Sequence, residues 1–289
     1  MNRIFLDRSQ LSLPAGLPPS GTSALFVAAL DRDQHHYLTK VLRLRPGSEI
    51  VVQLATGERW LAQVLPDGDR LSLNQLLPEL PPEPVEITLI AALPKTGFDE
   101  VIRQATELGV SYIVPVFSDR TVPKLKEKSG KAKPETKHDR WQRIAQEAAE
   151  QCERREIPQI AAPQAWATAL TTLPPSPYRY LCVARSLADL SPHWADRPPT
   201  PSLFSCLQQD FSRQQDLAPG IDRHDRPLVT LAIGPEGGWT VAEIKAAIAI
   251  GFTPVSLGPR ILRAVTAPLV ALAQIEAAIE PLHHPPAPL

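Results

Sequence analysis

The segment Leu231-Ala232-Ile233-Gly234-Pro235-Glu236-Gly237-Gly238-Trp239-Thr240 decides how this chain is read. An apolar run from Leu228 ends in a turn holding three glycines and a proline. Thr240-Val241-Ala242-Glu243 then has the spacing of a capping box, which starts a helix. Strand, glycine turn and helix in direct succession are the unit of α/β architecture. Glycines at such a strand end admit positive φ and let backbone amides approach a ligand with no side chain in the way. A tight turn that binds nothing fits the same residues, and the segment alone does not separate the two readings.

Working outward, Ser256 to Pro268 repeats the arrangement. Proline is tolerated only in the first turn of a helix, so Pro268 predicts a helix from about Thr266 and leaves Gly258 to Val265 as a loop. Arg260 and Arg263 stand on that loop, either salt-bridged or holding an anionic substrate. Upstream, strands are expected at Glu86–Ala92, Tyr112–Phe117, Arg179–Ala184 and Leu228–Ile233. Helices are expected at Phe98–Leu108, His138–Arg155 and Val241–Ile250, and from Thr266 through Ile279. The alternation predicts a mostly parallel sheet, whose ligands sit beyond the C-terminal strand ends. Residues 189–226, rich in Pro, Gln, Asp and Ser, read as a surface insertion without a clear period.

The proline-rich stretch Leu77 to Pro84 reads as a stiff linker, which gives domains at 1–78 and 85–283. Before it, apolar runs at Ala24–Ala28, Glu49–Leu54, Arg59–Leu65 and Leu71–Leu76 alternate with turns at Pro46-Gly47, Thr56-Gly57 and Asp67-Gly68. This is a small β-barrel pattern with a helical insert at His35–Leu44.

Composition excludes several classes. No apolar run is long enough to span a bilayer, and no secretory leader is visible, so a soluble, cytoplasmic protein is expected. Cys152, Cys182 and Cys206 contain no Cys-x-x-Cys pair, which argues against a zinc site or disulfide framework. P-loop, Rossmann, nucleophile-elbow and zincin motifs are all missing. Lys plus Arg number 30 against 31 Asp plus Glu, so a polyanion must be met by local patches. His35, His36, Lys40, Arg43 and Arg45 form one. The run from Arg120 through Lys124 to Lys137, Arg140 and Arg143 forms another.

Taken together these stretches resemble the bacterial 16S rRNA uridine N3-methyltransferases, the E-type small-subunit rRNA methyltransferases of the SPOUT superfamily. The resemblance rests on Arg3-Ile4-Phe5, His36 to Arg43 with Pro46-Gly47, Lys95, Gln104 to Val110 with Pro115 and Arg120, Trp141 to Cys152, Ile233 to Gly238 and Leu257 to Arg263. It implies a PUA-like RNA-binding barrel, a SPOUT α/β domain with a deep trefoil knot and a homodimer; the short apolar runs and the Cys and His spacing give no membrane and no metal. The resemblance further implies S-adenosylmethionine held by Leu93, Ile233, Gly234, Pro235, Glu236, Gly237, Gly238, Leu257, Gly258, Arg260, Ile261 and Leu262, and N3 methylation of a uridine in 16S rRNA of the small subunit. Arg3, His36, Lys40, Arg43, Lys95, Arg120 and Arg154 are its candidate RNA contacts.

A cation near the uridine carbonyls would stabilise the anion left by N3 deprotonation, and loop position makes Arg263 the candidate, with Glu236 the second catalytic candidate. Two departures from the family pattern stand out: Val265 where relatives often carry Glu, and Thr96-Gly97-Phe98 in place of Gly-Asp/Glu-Arg. The rival readings are a non-catalytic RNA-binding assembly factor and a SPOUT enzyme acting on a ribose 2′-hydroxyl.

Overall fold

The computed structural model describes residues 2–13, 26–121, 136–212 and 226–283. It divides into two compact units, one of residues 1–82 with 149–156 and one of residues 83–148 with 157–289. Lys124 to Lys133 of the basic run, residues 213–225 of the expected insertion, and Ala24 lie outside the described residues.

In the first unit β1 (Arg3–Leu6) and β2 (Leu11–Ser12) precede β3 (Phe26–Ala29), α1 (Arg32–His36), β4 (Glu49–Leu54), β5 (Arg59–Val64) and β6 (Arg70–Leu77). The six strands form one sheet in the order β1-β4-β5-β6-β3-β2, antiparallel except for the parallel pair of β1 and β4. A register shift at Leu61/Ala62 marks a bulge in the β5–β6 pair, a device that bends a sheet. Trp60, Ala62 and Val64 alternate inward and meet Ile4, Ile50, Val52 and Leu71. Asp31 starts α1 earlier than expected: its carboxylate accepts from the Gln34 amide at 2.8 Å, while Gln34 Oε1 accepts from the Asp31 amide. From Tyr37 to Val41 the chain widens into a π turn that buries Leu38 and leaves Lys40 exposed.

Beyond residue 82 the chain runs through β7 (Glu86–Ala92), α2 (Phe98–Glu107), β8 (Tyr112–Phe117), α3 (Lys137–Gln151), β9 (Gln159–Ile160), β10 (Gln164–Ala165), α4 (Trp166–Thr172) and β11 (Tyr178–Cys182). It continues through α5 (Leu187–Leu190), α6 (Leu203–Ser212), β12 (Leu228–Ile233), α7 (Val241–Ala249), β13 (Thr253–Val255) and α8 (Ala267–His283). All strand pairs are parallel, in the order β10-β8-β7-β12-β11-β13 with β9 beside β8. Both faces are covered, as a parallel sheet requires. Leu89 and Leu231 face one core with residues of α2, α3, α6 and α8; Ile90 and Ala232 face the other with α4, α5 and α7.

Part of the expected insertion packs into this core. Leu203, Leu207 and Phe211 recur at the helical spacing of four and are all buried, and Trp194 is 2% exposed. Tyr180 on β11 donates its hydroxyl to Asp210 on α6 at 2.5 Å. The prolines around 192–201 mask this pattern in the sequence, because they interrupt the window in which a helical period is read.

Candidate active site

Three loops meet at the C-terminal edge of the parallel sheet. Cys182 lies in register with Ile233 on one side and Val255 on the other, so the loops leaving β11, β12 and β13 start side by side. They line a cavity of about 420 Å³, a size that suits a small-molecule site. Ile233 to Gly238, Leu257, Gly258 and Arg260 to Leu262 all line it. Cys182 to Arg185, Asp189 and Leu190 form a third wall that the sequence reading missed. That wall could be found only by knowing that β11 sits between β12 and β13.

Short connections hold the loops in place. Glu236 Oε1 accepts from the Lys95 amide at 2.9 Å, so this exposed side chain ties the loop after β12 to the end of β7. Trp239 Nε1 donates to the Cys182 carbonyl at 3.2 Å. The capping box is present, with Thr240 Oγ1 accepting from the Glu243 amide, and Glu243 is itself buried at 6% exposure. Its carboxylate accepts from two backbone amides, Thr240 at 2.8 Å and Asp119 at 2.9 Å, which satisfies a charge that would otherwise be costly to bury.

Glycine suits the cavity walls for separate reasons. A Cβ on Gly234 would stand 3.0 Å from Trp239 Nε1, and one on Gly237 would stand 3.1 Å from Arg120 Cβ. Gly258 has open space around it but holds φ +126, a backbone that L side chains rarely adopt. The close approach of backbone to a mixed apolar and charged cavity fits a nucleoside with a zwitterionic tail. Cys182 is among the lining residues, and burial among the core side chains raises the pKa of its thiol well above the ordinary value.

Other expected residues fall elsewhere. Leu93 is a buried core residue at 4% exposure whose amide bonds Val116, and it does not line the cavity. Arg263 is exposed and also lies outside the cavity lining; its carbonyl accepts from the Thr266 and Ala267 amides where α8 begins. The cations that do line it are Arg120, Arg185 and Arg260.

In the first unit Arg3 is not a surface RNA contact. It is 4% exposed and donates to Gln53 Oε1 at 3.1 Å and to the Arg154 carbonyl at 3.3 Å, with Glu153 3.3 Å away. Burial lowers its pKa, partly offset by Glu153. Arg154 is likewise buried at 7% exposure, so both arginines serve the interior because their stems and guanidinium groups are enclosed there. His36, Lys40, Arg43 and Lys95 are exposed. Arg43 holds φ 55 just past the π turn, a left-handed backbone rare for a non-glycine residue.

The two departures from the family pattern lie against each other. Val265 Cγ1 is 3.1 Å from where a Cβ on Gly97 would stand, and both Val265 and Phe98 belong to the apolar cluster of that sheet face. Among the described residues no helix is long and apolar enough to cross a membrane. Within the same residues no group of three or more His, Cys, Asp or Glu is placed to hold a metal ion.

Comparison with known proteins defines first the class. Residues 81–276 match the model of an RNA methyltransferase domain, and residues 30–73 match that of an RNA methyltransferase PUA domain. Ribosomal RNA small subunit methyltransferase E of Synechocystis sp. is 41% identical over 251 residues, covering 86% of this chain and 72% of that protein. The protein of that name from Bacillus subtilis is 28% identical over 84% of this chain and 87% of its own. The Neisseria gonorrhoeae ribosomal RNA small subunit methyltransferase E, solved bound to S-adenosyl methionine, superposes with a TM-score of 0.65 at 26% identity, covering 96% of this chain and 97% of that one. A Legionella pneumophila methyltransferase solved with bound cofactor SAM gives 0.67 at 25% identity, over the same shares of the two chains. The chain belongs to the ribosomal RNA small subunit methyltransferase E family.

Proposed function

We propose that this protein transfers a methyl group from S-adenosylmethionine to N3 of a uridine in 16S rRNA of the small ribosomal subunit, in the cytoplasm and as a homodimer. The observation that carries the reading is the cavity formed where the glycine loops after β12 and β13 meet the end of β11. S-adenosylmethionine supplies the electrophilic methyl when bound, leaving as a neutral thioether, while the N3 proton passes to solvent water. The chain's own contribution is to hold a slot of fixed shape and to place charge near the acceptor base.

In this reading Ile233 to Gly238, Leu257, Gly258 and Arg260 to Leu262 hold the cofactor, while Glu236 orients the first of these loops through the Lys95 amide. The role of stabilising the uridine anion passes from Arg263 to Arg260, which stands on the same loop but lines the cavity. The first unit, with exposed His36, Lys40 and Arg43, takes the RNA, and residues from 85 onward carry the transfer.

Unmodified 30S subunits incubated with the protein and methyl-labelled S-adenosylmethionine, then digested to nucleosides, should carry the label as N3-methyluridine. Label on the ribose would overturn the choice of atom, and no label with either subunit or naked 16S rRNA would overturn the enzymatic reading.

A further inference from the structure

Arg120 stands on a turn that is unusually well fixed for a strand-end loop. The Thr121 amide donates to the Ser118 carbonyl at 3.0 Å and the Ser118 amide to Thr121 Oγ1 at 2.9 Å, which closes Ser118–Thr121 from both ends. The Asp119 amide donates to Glu243 Oε1 at 2.9 Å, and Thr240 Oγ1 lies 3.2 Å from Asp119 Oδ2. From this platform Arg120 reaches across to the glycine loop and donates through Nη1 to the Gly237 carbonyl at 2.8 Å. Its stem lies over Gly237, with Cβ and Cδ 3.1 and 3.2 Å from the place a Cβ would occupy there. Arg120 also lines the cavity. Arg120 is exposed, and its other donors lie outside this bond, but one donor and the stem are engaged on the cavity wall, which a side chain held only by phosphate would not need.

We infer that Arg120 is a positioning residue for the cofactor: it fixes the Gly237 peptide, and Glu243 fixes the turn that carries Arg120. The inference rests on the proposed function above, since it takes the cavity to be the S-adenosylmethionine site. It is a different role from the RNA contact that the family resemblance implies for this residue. A loop with a preset peptide binds its ligand without first having to order itself, so losing the latch shows as weaker cofactor binding with the fold retained.

The test uses the full chain and three variants, Arg120→Met, Arg120→Lys and Glu243→Gln. Methionine keeps an unbranched stem over Gly237 but has no donor. Lysine retains a donor that can reach a single carbonyl. Glu243→Gln replaces an acceptor-only carboxylate with an amide that can accept through only one of its two ends. S-adenosylmethionine affinity is read by calorimetry, thermal stability by Tm, and affinity for a 16S rRNA fragment as a function of salt.

Arg120→Met should weaken S-adenosylmethionine binding by about tenfold, with Arg120→Lys recovering most of the loss and Glu243→Gln losing affinity in the same direction. KM for the cofactor should rise while KM for RNA and the salt slope of RNA binding stay at wild-type values. A salt slope lower by about one in Arg120→Met, with cofactor affinity unchanged, would make Arg120 a phosphate contact and overturn the inference. A fall in Tm in Arg120→Met that Arg120→Lys does not repair, with cofactor affinity lost equally in both, would make the role purely structural and overturn it too. If the wild type itself fails to bind S-adenosylmethionine, it is the proposed function that fails, so the two failures are distinct.

Discussion

The indole N–H of Trp239 is bonded to the carbonyl of Cys182, 57 residues earlier, at 3.2 Å. This ties the turn after β12 to the end of β11 at the point where both enter the cavity. Trp239 also packs against Trp166 with ring centroids 4.4 Å apart and the planes tilted by 35°, so the glycine loop is backed by a buried aromatic pair.

Trp239→Phe should therefore cost about 1 kcal/mol for the lost hydrogen bond and weaken cofactor binding, while Gly234→Ala should do more damage. Its methyl would meet three atoms of the indole at 3.0–3.2 Å, and a buried ring cannot give way as a flexible side chain does. Denaturant unfolding together with calorimetry checks both. Wild-type affinity in Gly234→Ala would show that the loop and ring move without penalty.

Arg260→Ala is expected to slow single-turnover methylation at saturating cofactor by tenfold or more, on the order of the effect of removing one charge-stabilising group, over and above any loss of cofactor affinity from the loop that it shares. Arg263→Ala should react at close to the wild-type rate, because that side chain lies outside the cavity lining. The reverse ranking in rapid-quench measurements would return the catalytic role to Arg263.

Val265→Glu, which introduces the residue that the family resemblance leads one to expect there, should destabilise this particular chain. Val265 is partly buried against the apolar cluster that includes Phe98, with Gly97 closely opposed. A carboxylate there loses hydration without a partner on Gly97, at a cost of about 1–3 kcal/mol. An unchanged Tm would mean that the side chain escapes to water.

Tyr180 provides a pH test of the helix that the sequence concealed. Burial, then the hydrogen bond to and charge of Asp210, raise its pKa far above the ordinary tyrosine value. A pKa raised in the folded state gives a contribution that is complete below the unfolded value, about 10. That contribution is lost as pH rises through the folded value. Stability should thus fall with pH above about 10, and Tyr180→Phe should remove part of that dependence while lowering stability at neutral pH. Unfolding curves of both proteins between neutral and strongly alkaline pH settle the matter; identical slopes would detach the alkaline loss from Tyr180.

Much of this was readable along the chain. The strands Glu86–Ala92, Tyr112–Phe117 and Leu228–Ile233 form where the apolar runs predicted them, and α7 begins at the Thr240–Glu243 capping box. Each of these depends on residues within a few positions of one another. Two kinds of feature were missed. β9, β10 and α4 are short, and α6 is interrupted in pattern by neighbouring prolines, so no single window shows their period. The cavity wall at Cys182–Arg185 carries no motif at all.

By itself, the sequence determined the types of the longer, strongly patterned elements, the glycine loops and the charge carried on them, because hydrophobic period, capping and glycine backbone freedom are local properties. Only the tertiary structure decided the order β12-β11-β13 and hence the third wall. It also decided the enclosure of Arg3 and Arg154 and the turning of Arg120 toward Gly237. Whether an arginine faces solvent or interior depends on which distant backbone covers it, and that is set by how strands pair and helices pack across the sheet rather than by the residue's neighbours in the chain.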